Sequence, residues 1–90
     1  MLVNETRVTR INASAVKSRV IQAAEAGDTV LDWSGVTAVD SSTVAIVLAW
    51  LRVLQKKNLV PQLVAVPEKM LSLMRLYGTY QLIEPTFAKK

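Results

Sequence analysis

The residues of this sequence that could do chemistry are two aspartates and a pair of hydroxyl groups near its middle. Asp32 and Asp40 each follow an apolar run, and Ser41 and Ser42 come directly after the second aspartate. Two carboxylates at strand ends could in principle pair as a general acid and a general base. The sequence contains no histidine and no cysteine, and its three glycines form no phosphate-binding loop. We therefore expect a protein that is not an enzyme and that binds no metal or other cofactor.

The serine pair is also typical of the start of a helix. A hydroxyl at this place, from Ser41 or Ser42, can cap free backbone N–H groups and contributes roughly 1 kcal/mol. The positive end of the helix dipole would equally favour a phosphate on either serine. The carboxylate of Asp40 is expected to bind backbone donors in the loop before the helix. Capping and phosphorylation both stay open at this point.

The helix predicted over residues 43–57 has more apolar residues than one buried face requires. One stripe, which is enough to face a sheet, consists of Val44, Val47, Leu48, Leu51 and Leu54. A second stripe on another side of the helix, at spacing i, i+4, i+7, consists of Ile46, Trp50 and Val53. Either the neighbouring third helix or the chain termini cover this second stripe, or it binds a partner with Trp50 as its anchor. The predicted partner-binding residues are Ser41, Ser42, Ala45, Ile46, Ala49, Trp50 and Val53.

Short strands and helices alternate around this segment, which predicts one α/β domain over residues 1–90 with parallel neighbouring strands. The predicted strands are residues 6–11, 29–33, 59–66 and, at the end, 81–83, and residues 36–39 lead into Asp40, where a strand ends. A first helix is expected between Asn12 and Gly27. A third helix should start at Pro67 and stop at Gly78, with its inward face formed by Met70, Leu73, Met74 and Tyr77. Residues 85–90 are interpreted as a tail.

Composition limits the classes of partner. Of the 90 residues 51% are hydrophobic, and the net charge is +4. The basic residues are scattered and do not alternate with aromatic ones, so no nucleic-acid partner is expected. The longest apolar run, residues 44–51, is far shorter than the ~20 residues that span a bilayer. We expect a soluble cytoplasmic protein that reaches a membrane only through a partner.

Three segments resemble one family. Residues 32–42, with the sequence DWSGVTAVDSS, resemble the signature of STAS domains, the group that includes anti-sigma-factor antagonists. The segment Thr6 to Thr9 is similar to the family's Gly-x-Leu-Thr, with Val8 at the leucine and Thr6 in place of the glycine. Residues 70–78 are most similar to one branch, the small cytoplasmic STAS subunit of Mla-type phospholipid-transporting ABC systems.

The resemblance implies an α/β STAS fold with a four- to five-stranded mixed sheet and helices packed mainly on one side. It also implies a domain that binds a protein. In the Mla branch that protein is the transporter's ATPase subunit, and the hydroxyl equivalent to Ser41 lies at the contact. In the antagonist branch the partner is an anti-sigma factor that is also a serine kinase, and the phosphorylated residue matches Ser42.

Two departures from the family pattern carry expectations of their own. Thr43 replaces the glycine that follows the serine pair, which weakens the interpretation of this segment as a switch operated by serine phosphorylation. Only about five residues precede the first motif, so the family's additional N-terminal strand is either very short or missing. A missing strand would expose a sheet edge, and an exposed edge favours a homodimer.

Overall fold

The computed structural model describes residues 1–88 and confirms the alternation of strands and helices. The elements in chain order are β1 (Arg7–Val8), α1 (Ala13–Glu25), β2 (Val30–Asp32), β3 (Ala38–Val39), α2 (Ser42–Lys56), β4 (Gln62–Val64), α3 (Glu68–Leu76), α4 (Tyr80–Ile83) and a 3-10 turn (Glu84–Thr86). The strand expected over residues 81–83 is wrong, because this stretch forms α4. A short apolar run fits a helix turn as well as a strand, and only the surrounding packing decides between them.

Local sequence explains the two longest helices. In α1, Val16, Val20 and Ala24 recur at a spacing of four residues and are buried. Gly27 follows the helix with φ 98°, a backbone conformation that costs glycine least. Helix α2 reaches Lys56, and Asn58 then turns the chain at φ 57°, as its side chain allows.

The sheet is smaller than expected. β1 pairs with β3 and β2 pairs with β4, both in parallel, so there are two two-stranded sheets where a four- to five-stranded mixed sheet was predicted. The strands are short because a turn follows β1 at once and because Ala65, at φ 56°, leaves the extended conformation directly after β4.

One isolated β-bridge pairs with the outer edge of β2, and another pairs with the outer edge of β4. Leu2 lies beside Asp32, and the Val3 amide donates to the Asp32 carbonyl oxygen at 2.9 Å. Of the two alternatives for the N-terminal strand, the structure therefore has the very short one. On the other side Leu63 pairs with Phe87, and the Ala88 amide donates to the Leu63 carbonyl oxygen at 2.9 Å.

The predicted tail is wrong for residues 85–88. Thr86 is buried and donates its hydroxyl to the Ile83 carbonyl oxygen at 2.7 Å, and Phe87 packs edge-on against Tyr80. These contacts hold the segment against the domain. Lys89 and Lys90, to which the same prediction applied, lie outside the described residues.

The hydrophobic core lies between the strands and helices α1, α2 and α3. Its largest side chains are Trp33, Trp50, Leu31, Ile46, Leu54, Leu63, Met70 and Met74. Helix α2 crosses the middle of the molecule and packs most closely against α1. Within residues 1–88, none of the helices has the length and apolarity that crossing a bilayer requires.

Candidate functional site

The start of α2 is organised by the carboxylate of Asp40. Its Oδ1 accepts the Ser42 amide at 2.9 Å and also the Ser42 hydroxyl, while Oδ2 accepts the Arg10 amide at 2.9 Å. The Asp40 carbonyl oxygen accepts the hydroxyl of Thr43, whose side chain is buried, at 2.8 Å. The prediction that Asp40 binds backbone donors is confirmed, and Asp40, not a serine, provides the cap.

These hydrogen bonds define the charge state of Asp40. The Ser42 hydroxyl contributes most to a pKa of the Asp40 carboxyl below its ordinary value, and the Arg10 amide adds to the effect. Hydrogen bonds to a carboxylate favour its charged form. Asp32 accepts the Ser34 amide of its own turn at 2.8 Å. Asp32 thus holds its own turn, Asp40 joins its own loop to the turn after β1, and both carboxylates act as structural acceptors.

The two serines differ in what they offer to a partner. The Ser41 side chain is exposed and makes no capping hydrogen bond. Ser42 is half-buried and its hydroxyl already donates to Asp40. The accessible hydroxyl at the start of α2 is therefore that of Ser41.

The second apolar stripe of α2 is not exposed. Ile46 and Trp50 each retain only 1% of their surface, and Val53 is half-buried. Helix α1, the close neighbour of α2, lies on this side, and Val53 lines a cleft with Glu25 at the end of α1. The expectation that Ile46 and Trp50 face a partner is thus wrong, because α1 covers them.

The exposed side of α2 consists of smaller residues. Ser41, Ala45 and Arg52 are exposed, and Leu48 and Ala49 are half-buried. Their spacing of three to four residues places them along one line of the helix surface. Two of the predicted contact residues on this side, Ala45 and Ala49, are therefore available to a partner together with Ser41.

Large side chains from α3 and α4 extend this exposed side. A cleft of about 310 Å³ is lined by Ser41, Val44, Ala45, Leu48, Tyr77 and Thr79. A second cleft of about 150 Å³ is lined by Leu48, Leu51, Arg52, Gln55 and Leu82. Leu48 lines both clefts, so they adjoin each other along α2. We call the surface formed by Ser41, Ala45, Leu48, Arg52, Tyr77 and Leu82 the α2 groove.

Tyr77 and Leu82 were not predicted to belong to a site. Tyr77 was placed on the inward face of α3 and Leu82 in a strand, yet they are 56% and 64% exposed. The one sequence signal for a change of direction here was Gly78, because glycine often ends a helix. In the structure Gly78 has φ 70° and ends α3. A residue at the end of a helix leaves the helical register, so periodicity no longer predicts its direction.

Ile11 is another residue that sequence patterns did not identify. It is 92% exposed on the turn after β1. Asn12 holds this turn by accepting the Thr9 amide at 2.9 Å and donating to the Arg7 carbonyl oxygen at 2.8 Å. Because the neighbouring Arg10 amide binds Asp40, Ile11 lies at the same end of the molecule as the start of α2.

The geometry can hold a protein surface better than it can hold a small reactant. Among residues 1–88 no three acidic side chains lie close enough together to hold a metal ion. Both clefts are open along one helix. The larger has mainly apolar walls, the smaller mixes Leu48, Leu51 and Leu82 with the polar Arg52 and Gln55, and the large residues Tyr77 and Leu82 stand at their rims. This combination is typical of protein interfaces.

Comparison with known families agrees with this geometry. Residues 3–84 match the model of the family described as Mlab, STAS domain. The chain belongs to this MlaB-like STAS family. The match includes every residue of the α2 groove, and STAS domains act by binding partner proteins. No curated protein and no solved structure matches the chain.

Proposed function

We propose that this protein is a non-enzymatic subunit that docks through the α2 groove on the ATPase of a bacterial phospholipid-transporting ABC system. In that role it supports the ATPase and, through it, the lipid asymmetry of the outer membrane. It resides in the cytoplasm and is peripheral to the inner membrane only through its partner. The observation that carries the proposal is the exposed groove that begins at Ser41, the position that the Mla branch places at its ATPase contact.

The physical character of the groove supports a protein partner. Tyr77 and Leu82 stand exposed beside half-buried Leu48, and burial of apolar surface contributes roughly 25 cal/mol for each Å². Tyrosine is one of the residue types that contribute most to protein interfaces. The small residues Ala45 and Ala49 leave room for the main chain of a partner to approach α2 closely.

The proposal uses only part of the predicted contact set. Ser41 and Ala45 are retained as groove residues, the half-buried Ala49 is retained beside the groove, and Tyr77 and Leu82 are added. Ile46 and Trp50 are dropped because α1 covers them.

The test is a calorimetric titration of the purified chain with the ATPase subunit encoded beside its gene. Ala45→Arg places a long charged side chain in the groove, and we expect Kd to rise at least roughly tenfold, or about 1.4 kcal/mol. Ala15→Arg is the matched control, because Ala15 is an exposed alanine on α1. It should bind as the wild type does.

Two results would contradict the proposal. One is a wild-type chain that does not bind the ATPase, and the other is equal binding by Ala45→Arg and wild type. Circular dichroism on both variants shows whether the fold is retained. Light scattering on the same samples reports whether the chain is a monomer or the homodimer predicted from a sheet edge.

An anti-sigma-factor antagonist is the second candidate, and the exposed hydroxyl of Ser41 at a helix start favours it. Ser42, the position that matches the modified serine of antagonists, fits less well, because a phosphate there would adjoin the Asp40 carboxylate. Incubation with a neighbouring-gene serine kinase and ATP, read by mass spectrometry, tests this candidate. Loss of the added phosphate in Ser41→Ala or Ser42→Ala identifies the residue.

A further inference from the structure

We infer that the partner surface that fills the α2 groove presents an acidic side chain to Arg52, next to an apolar side chain that enters the cleft between Leu48 and Leu82. This inference rests on the proposed function and names the chemistry of the ATPase surface that would bind there. It concerns the lower part of the groove, away from Ser41.

The surroundings of Arg52 provide the first argument. Arg52 is exposed and lines the cleft of about 150 Å³, whose apolar walls are Leu48, Leu51 and Leu82. A guanidinium in such a cleft can bind a carboxylate of the partner through two parallel hydrogen bonds, and a partner seated on the leucines would remove water from that contact.

Arg52 has no acidic partner within the described part of the chain. The two ion pairs there join the Met1 amino group to Asp28 at 2.8 Å and Arg19 to Glu5. Neither pair lies on the α2 groove. The charge of Arg52 is therefore free to be compensated by another molecule.

The wider charge distribution gives the second argument. Helix α2 contains no Asp or Glu, and its two charged residues, Arg52 and Lys56, are both exposed. The opposite wall, residues 77–82, carries no charged side chain at all. Arg75, which lies 4.5 Å from the ring centre of Tyr80, lines a separate cleft and is not part of the groove walls. A groove of one sign binds best to a surface of the opposite sign.

The experiment repeats the titration with the ATPase at about 50 and about 300 mM NaCl, a range over which exposed charges become screened. We expect wild-type affinity to fall as salt rises. Arg52→Glu should raise Kd at least roughly tenfold at low salt, because two acidic groups then face each other. Lys17→Glu is the control, since it makes the same kind of charge reversal at an exposed position of α1.

A neutral variant separates charge from shape. Arg52→Gln keeps a polar side chain at the cleft, and it should bind more weakly than wild type with a smaller dependence on salt. If Arg52→Gln keeps the full salt dependence of wild type, or if Arg52→Glu binds normally, the acidic contact is overturned while ATPase docking stands. Failure of the wild type itself to bind overturns the proposed function.

Vesicles containing phosphatidylglycerol distinguish a protein carboxylate from a lipid phosphate. We expect the wild-type chain to stay in solution when such vesicles are sedimented without the ATPase. Sedimentation of wild type that Arg52→Glu abolishes would assign Arg52 to a lipid surface and overturn the inference.

Discussion

The two sides of α2 differ in a way that their sequence does not reveal. The side with Ile46 and Trp50 has the larger apolar residues, and α1 buries it almost completely. The side with Ser41, Ala45 and Arg52 has smaller ones and remains exposed. Large apolar residues on a helix therefore do not identify its binding side, because they are also the residues that neighbouring elements cover most effectively.

What makes the exposed side a candidate interface comes from elsewhere in the chain. Tyr77 follows α3 and Leu82 belongs to α4, and both project beside the small residues of α2. The groove is thus assembled from segments about thirty residues apart, and no single helix pattern contains it.

The largest expected effect would come from truncating the covered side. Trp50→Ala should lower the free energy of unfolding by about 3–5 kcal/mol, because it leaves a cavity between α1 and α2. Urea denaturation followed by circular dichroism measures this. Leu82→Ala, which truncates an exposed side chain, should change stability by less than about 0.5 kcal/mol. Equal stability losses in the two variants would remove the distinction between the sides.

A second variant tests Asp40, whose carboxylate holds the start of α2 and therefore supports both sides of the helix. Asp40→Asn removes the charge that receives donors from Arg10 and Ser42, and we expect it to cost about 1–3 kcal/mol of stability. The same urea experiment applies. An unchanged midpoint would mean that these hydrogen bonds do not stabilise the start of α2.

The cost of Asp40→Asn should depend on pH in a defined direction. The folded-state pKa of Asp40 is depressed, so its stabilising contribution is complete above the ordinary carboxyl value of about 3.9. It is lost as pH falls through the lower folded-state value. The stability difference between wild type and variant should therefore be constant near neutrality and shrink below about pH 4. A difference that shrinks on raising the pH would contradict this assignment.

The smallest expected effect concerns how far the exposed side extends. Ile11→Ser should weaken ATPase binding by about 1 kcal/mol, or roughly fivefold in Kd, if the partner reaches across the start of α2. Val60→Ser is the matched control. Val60 is 77% exposed but follows the other end of α2, about 22 Å away along a helix of 15 residues. Equal effects of the two variants would limit the interface to the α2 groove.

Sequence patterns predicted the elements well where periodicity or a special residue defined them. The helix expected between Asn12 and Gly27 is α1, and the helix expected over residues 43–57 is α2 within a residue at each end. The run at residues 81–83 was too short to distinguish a strand from a helix turn.

Only part of the candidate site was predicted from the sequence, and the cause is not the shortness of a pattern, as it was at residues 81–83. Ser41 and Ala45 could be assigned from their place on α2, since helical spacing determines which residues share a side. Whether Trp50 is covered depends on where α1 packs, and the direction of Tyr77 depends on how the chain leaves α3. Both are properties of the tertiary structure, which local periodicity does not contain.

The hydrogen bonds of Asp40 have a consequence for the order in which the protein folds. Its carboxylate joins the amides of Arg10 and Ser42, and the first of these contacts closes a loop of 30 residues. Such a contact requires the turn behind β1 and the first turn of α2 to come together, so we expect it to form late on the folding path. Its loss should act mainly on the unfolding rate, which makes Asp40 a determinant of how long each folded molecule lasts.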